Sequence, residues 1–126
     1  MMQLEIAAPL LRVERLGRVL TVTMSRAPVN ALNDELIAQL DAAADLAIAD
    51  DGISVLHIRS DQRAFSAGAD LALIRACFAT PEGPDAMTAV VRDMQRLYEK
   101  LEAAPLVTLA EIGATALGGG LELALA

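Results

Sequence analysis

Apolar and polar positions along this chain follow two periods. Residues 11–24, "LRVERLGRVLTVTM", hold two β-rich runs, Leu11–Arg15 and Arg18–Met24, and the Leu16–Gly17 pair between them predicts a hairpin. "RAPVNALN" follows as a loop, with Pro28 and Asn30 as breakers. The period then changes. Leu36, Leu40, Ala43 and Ala47 recur at helical spacing, which predicts a helix from Glu35 to about Ala49 capped by Asn33 or Asp34. "DDG" ends it, and "ISVLHIRS" reads as a continuous apolar strand of the kind buried on both faces.

"DQRAFSAGADLALIRACFA" is a loop entering a short helix, with Asp70 placed to cap it, and "TPEGPD" is a linker of turn residues. From Ala86 to Leu101 the apolar positions Met87, Val90, Val91, Met94, Leu97, Tyr98 and Leu101 lie three or one apart, the clearest helix of the chain. Pro105 stops it, "LVTLAEI" is a second strand of the buried type, and three glycines open a last helix. The order predicts an α/β domain whose strands are covered by helices, with no short repeat and no internal domain boundary.

Composition narrows the function. With 126 residues, 55% hydrophobic and 21% charged, the chain has room for one sizeable core and is not disordered. Only 2% aromatic residues and a net charge of −7 oppose a nucleic-acid partner, which needs stacking faces and clustered cations. No apolar run approaches the roughly 18 residues that span a bilayer, so no membrane partner is expected. The N-terminal "MMQLEIAAPLLRVERLG" has acids where a secretory signal carries positive charge, and it is not read as one. Single Cys77 forms no internal disulfide and fits a reducing, cytoplasmic compartment.

Few residues are candidates for chemistry. His57, the only histidine, has no partner at metal-ligand spacing and reads as a core or strand-end residue; no metal site is expected. "GATALGGGLE" lacks the Lys-Ser/Thr of a phosphate loop, and a G-x-S-x-G elbow is absent. Two glycine-bearing turns remain, each between a strand and a helix: Phe65-Ser66-Ala67-Gly68-Ala69-Asp70 and Gly118-Gly119-Gly120-Leu121-Glu122. Small residues let a ligand approach the backbone, and helix N-termini direct free N–H groups outward. Two such groups converging would make an oxyanion hole. Glu122 follows within one turn among apolar Leu121, Leu123, Ala124 and Leu125, which predicts a poorly solvated carboxyl able to give and take a proton. The same glutamate is also favourable as a first-turn residue through the helix dipole alone.

"AFSAGADL" at 64–71 and "ALGGGLELALA" at 116–126 resemble the two signature segments of the enoyl-CoA hydratase/isomerase family, the crotonases. "VLTVTMSRAPVNALNDELIAQLDAAADLA" is similar to that family's N-terminal hairpin, turn and first helix, so the resemblance covers nearly the whole chain. It implies a crotonase-like spiral of ββα units, of which residues 1–126 are the N-terminal part of a single domain. It implies an acyl-CoA thioester substrate, no separate cofactor, and assembly into homotrimers or hexamers. The thioester oxygen would lie between the backbone N–H groups of Ala69 and Gly119, flanked by Gly68 and Gly118. Glu122 matches the first catalytic glutamate of the hydratases. Ala67 matches the segment that meets the adenine of coenzyme A, and the stretch from Ala27 to Ala31 would border the pantetheine. Asp70 keeps its role as a helix cap.

The chain departs from the family in two ways. Gly113-Ala114 stands where an Asn-Gly pair is usual, so a positive φ is expected one residue earlier. The sequence also stops within a helix, with no cap or following turn. That stop predicts a partial chain, with the second glutamate some twenty residues beyond Ala126. Hydration of a trans-2-enoyl-CoA is the leading reading. The alternatives are another reaction on acyl-CoA, of the isomerase type, or a non-catalytic fragment that binds coenzyme A.

Overall fold

A computed structural model describes residues 9–126; the reading of the first residues as lacking a signal falls partly outside them. The chain opens with the expected hairpin: β1 (Leu11–Leu16) pairs antiparallel with β2 (Val19–Met24), Leu11 opposite Met24 and Leu16 opposite Val19. Helix α1 (Asp34–Ala49) starts at Asn33, whose side-chain oxygen accepts from the Leu36 N–H at 2.9 Å. Strand β3 (Val55–Ser60) then joins β2 in parallel, and β5 (Val107–Ala110) joins β3 in parallel, giving the order β1-β2-β3-β5.

Register explains where the core lies. Leu20 pairs with Leu56 and Val22 with Ile58, so these four side chains point to one face of the sheet. All four are buried, together with Leu36, Ile37 and Leu40 of α1, which packs against β1 and β3. Each fully buried leucine contributes roughly 2 kcal/mol of transfer free energy.

The opposite face corrects an expectation. Strands β3 and β5 alternate and are not buried on both sides: Val107 and Leu109 are 62% and 51% exposed. Among the described residues this face of β5 is open to solvent.

Helix α2 (Leu71–Phe78) is followed by α3 (Gly83–Ala103), which begins inside the stretch read as a linker. Pro84 in the first turn explains this, because a proline there loses no hydrogen bond and its fixed φ suits a helix. Val90, Met94, Leu97 and Leu101 form the buried stripe of α3. Lys100 ties α3 to α1 through Asp41 and Asp45, each at 2.7 Å.

Two further strands escape the hydrophobic pattern because of their length: β4 (Ala64–Ser66) and β6 (Thr115–Ala116) pair in parallel as a separate small sheet. Each stands immediately before one of the glycine turns. Helix α4 (Gly119–Leu125) completes the described chain. No helix among the described residues is long and apolar enough to cross a membrane.

Candidate active site

The β4–β6 pair brings the two glycine turns together. Ser66, fully buried, is the joint: its carbonyl accepts from Leu117 N–H at 3.0 Å, and its hydroxyl donates to the Asn30 carbonyl at 2.8 Å. Beyond it the chain turns at Gly68 with φ +94°, and the second turn passes through Gly118 with φ +49°. Both angles lie where an L side chain is strained. Gly113 carries no positive φ, so the rearrangement expected there does not occur; the turn's left-handed residue is Gly118.

These turns leave two donors free. Leu32 N–H donates to the Gly68 carbonyl and Asp70 N–H donates to the Leu32 carbonyl, so the intervening Ala69 N–H points away from that bridge. Gly119 is the first residue of α4, where intrahelical partners for N–H groups do not exist. Among the described residues neither the Ala69 nor the Gly119 N–H donates a hydrogen bond.

Each turn has its own anchor. Asp70 caps α2, one carboxylate oxygen accepting from Ala72 and Leu73 N–H at 2.8 and 3.3 Å. Its other oxygen lies 2.7 Å from Arg26, which also donates to the Ala31 carbonyl. Burial pushes the Asp70 pKa up, but the bonds from Arg26, Ala72 and Leu73 outweigh it and hold the carboxyl below its ordinary value. On the other side, Tyr98 of α3 donates its hydroxyl to the Gly119 carbonyl at 2.8 Å. Burial, and secondarily the negative charge of Glu122, push the Tyr98 pKa up.

Ala67, Gly68, Ala69, Gly118 and Gly119 therefore come together as expected from the sequence. Ala27 lies on the neighbouring loop, which meets the first turn through a 3.0 Å bond from Ala67 N–H to the Val29 carbonyl. Glu122 differs from expectation. It is exposed, and so are Leu121 and Leu125, at 43% and 78%, because α4 turns only Gly120 and Leu123 inward. Of its apolar neighbours in sequence, Leu121 and Leu125 point to solvent and Leu123 faces the core, so they do not enclose it.

Asn30 is the residue the sequence reading undervalued. It is fully buried with φ +50°, accepts from Arg26 N–H at 2.8 Å, and donates to Ser60 Oγ at 2.7 Å and the Phe65 carbonyl at 3.1 Å. His57 is partly buried beside Thr21 and Glu111. Among the described residues no group of His, Cys, Asp and Glu is placed to hold a metal ion.

The fold is that of the crotonase spiral, represented here by its first portion. An enoyl-CoA hydratase/isomerase family protein from Silicibacter pomeroyi superposes with a TM-score of 0.83 at 34% identity, over 91% of this chain and 48% of that one. The family model for enoyl-CoA hydratase/isomerase matches residues 14–126, and the chain belongs to that family. A probable enoyl-CoA hydratase of Bacillus subtilis is 34% identical over 86% of this chain and 40% of its own length. The 2,3-dehydroadipyl-CoA hydratase of Escherichia coli is 37% identical over 90% of this chain and 42% of its own. The chain thus spans about two fifths of the length of the curated relatives it matches.

Proposed function

We propose that this chain carries the oxyanion hole and one acid–base residue of an enoyl-CoA hydratase. The observation that carries the reading is the pair of unengaged N–H groups, Ala69 and Gly119, on turns joined backbone to backbone, with Glu122 one helical turn beyond. The named activities of the relatives supply the substrate class, an acyl-CoA thioester.

Hydration needs what such a site offers. The Glu122 carboxylate takes a proton from water as the water oxygen bonds to C3 of the enoyl group. The C2=C3 electron pair shifts toward the thioester, and the resulting enolate oxygen accepts from the Ala69 and Gly119 N–H groups. The carboxyl then returns a proton to C2. Donors fixed in advance stabilise that charge without reorganising, a contribution of about 3–4 kcal/mol per donor in related oxyanion sites. The reaction requires no cofactor beyond the coenzyme A carried by the substrate. Gly68 and Gly118 admit the thioester to the backbone, while Ala67 and Ala27 border the coenzyme A. A homotrimer or hexamer is part of the same reading, as is a cytoplasmic location, consistent with buried, unpaired Cys77.

The test is hydration of crotonyl-CoA by the full-length gene product, followed as loss of enoyl absorbance, with and without Glu122→Gln. A fall in kcat of about a hundredfold or more in the variant, with coenzyme A binding retained, is the expected result. Acyl-CoA binding without hydration in the unmodified protein would move the assignment to another reaction on the same enolate, such as double-bond isomerisation.

A further inference from the structure

Helix α4 starts with an N-terminus that nothing in its own sequence secures. Its N-cap, Gly118, offers no side-chain bond, and Gly119 and Gly120 follow it. Three consecutive glycines have more backbone freedom than any other tripeptide, yet an oxyanion donor acts only if its direction is fixed before the charge forms. The corresponding donor at Ala69 precedes a capped helix held by Asp70 and Arg26.

We propose that Tyr98 is the positioning residue of the Gly119 turn: its hydroxyl, reaching across from α3, donates to the Gly119 carbonyl at 2.8 Å, fixes the Gly119–Gly120 peptide plane, and through it limits the orientations open to the Gly119 N–H on the preceding peptide. The inference rests on the oxyanion role proposed above for that N–H.

Three observations support it. The α3 surface closes directly on this residue, since a β-carbon on Gly119 would lie 2.7 Å from Met94 Cε and 3.3 Å from Tyr98 Oη. The anchoring helix is firm: Leu97 and Leu101, on the same face as Met94, are buried in the core. The helical apolar pattern asks only for a hydrophobic side chain at position 98, which leucine or phenylalanine would satisfy, so the hydroxyl is the one feature packing does not explain. Burial, and secondarily the neighbouring Glu122 charge, push the hydroxyl's pKa above its ordinary value, in keeping with its role as a donor to the Gly119 carbonyl.

The experiment compares the full-length gene product with its Tyr98→Phe variant, which removes one oxygen and leaves the ring in place. Crotonyl-CoA hydration gives kcat and KM. Difference infrared spectra of bound acetyl-CoA, carbonyl-labelled with carbon-13, report how strongly the hole polarises the thioester. In the variant, kcat is expected to fall about tenfold, the equivalent of one net hydrogen bond, with KM altered by less than about twofold. The carbonyl stretch is expected to move back toward that of free thioester. Unchanged kcat and an unchanged stretch would overturn the proposal. So would a lower melting temperature with the stretch unmoved, which is the signature of a merely structural bond. An unmodified protein that binds acetyl-CoA without shifting its carbonyl would instead overturn the oxyanion reading, and this inference with it.

Discussion

The backbone nitrogen of Gly119 lies 3.4 Å from the point at which a side chain on Gly68 would begin, and the Leu117 carbonyl oxygen lies 3.0 Å from that point. The two turns are seated closely enough that a methyl group on Gly68 would press the Leu117 carbonyl back by a few tenths of an ångström, so the spacing of the two donors depends on its absence. Gly68→Ala would strain a residue at φ +94° and wedge the turns apart. It is expected to cost about 2 kcal/mol or more in stability. It should also lower kcat/KM for enoyl-CoA hydration by a larger factor than the unfolded fraction explains. Urea midpoints measured alongside kinetics separate the two effects.

The other glycines of the triplet should not respond alike. A β-carbon on Gly120 would overlap the Ser66 carbonyl and lie 2.6 Å from Ser66 Cβ, both on a buried strand that cannot yield. On Gly119 the nearest obstacle is Met94 Cε, the end of a flexible side chain. Gly120→Ala is expected to destabilise by about 3 kcal/mol or more and Gly119→Ala by about 1 kcal/mol. Equal losses in chemical denaturation would contradict this packing.

Asn30 joins the loop after β2 to the strand that carries the first turn. Asn30→Ala leaves the Phe65 carbonyl without this donor, removes the acceptor of Arg26 N–H, costs the Ser60 hydroxyl one of its two donors, and places an ordinary residue at φ +50°. A loss of about 3 kcal/mol is expected from unsatisfied buried groups together with strain. Asn30→Gly should lose less, since it relieves the strain while losing the same bonds, and thermal melts of the pair measure the difference.

Asp70 gives the protein an acid-dependent contribution of known sign. Its pKa in the folded chain lies below the ordinary 3.8, so the unfolded chain binds its proton first as pH falls. The stabilisation is complete above about pH 4 to 5 and is lost as pH drops through the lower folded value. Asp70→Asn should therefore be less stable than the parent at pH 7, and the gap between their melting temperatures should narrow progressively below pH 4. A gap that is constant across pH 2–7 would show that the cap and the Arg26 pair do not depend on the charge.

Sequence periodicity was informative wherever an element was long enough to show a period. The hairpin, α1 and the buried stripe of α3 were all readable, because burial of one face imposes the pattern, while the choice between Asn33 and Asp34 as the cap of α1 came from the structure. Strands β4 and β6, of three and two residues, are too short to show any period. The glycine turns were visible as chemistry, but their meeting was not, since it depends on pairing between residues about fifty positions apart. Glu122 was misjudged for a related reason. Apolar neighbours in sequence on a helix point in several directions, and only those facing inward alter a carboxyl's surroundings. Asn30 looked like punctuation in a loop, and nothing in a single sequence marks an asparagine as the node of a buried network.

Among the described residues β5 is an edge strand of the four-stranded sheet, and its Val107 and Leu109 side chains are exposed on one face, which has a consequence for handling these residues. An edge strand with exposed apolar side chains and open amide and carbonyl groups is a template on which another extended segment can register, including the same segment of a second molecule. Produced as these residues alone, the chain is expected to be limited by concentration and time, precipitating through this edge while its core is still folded. A lysine substituted at Leu109 would act as a gatekeeper there, extending shelf life without touching the glycine turns.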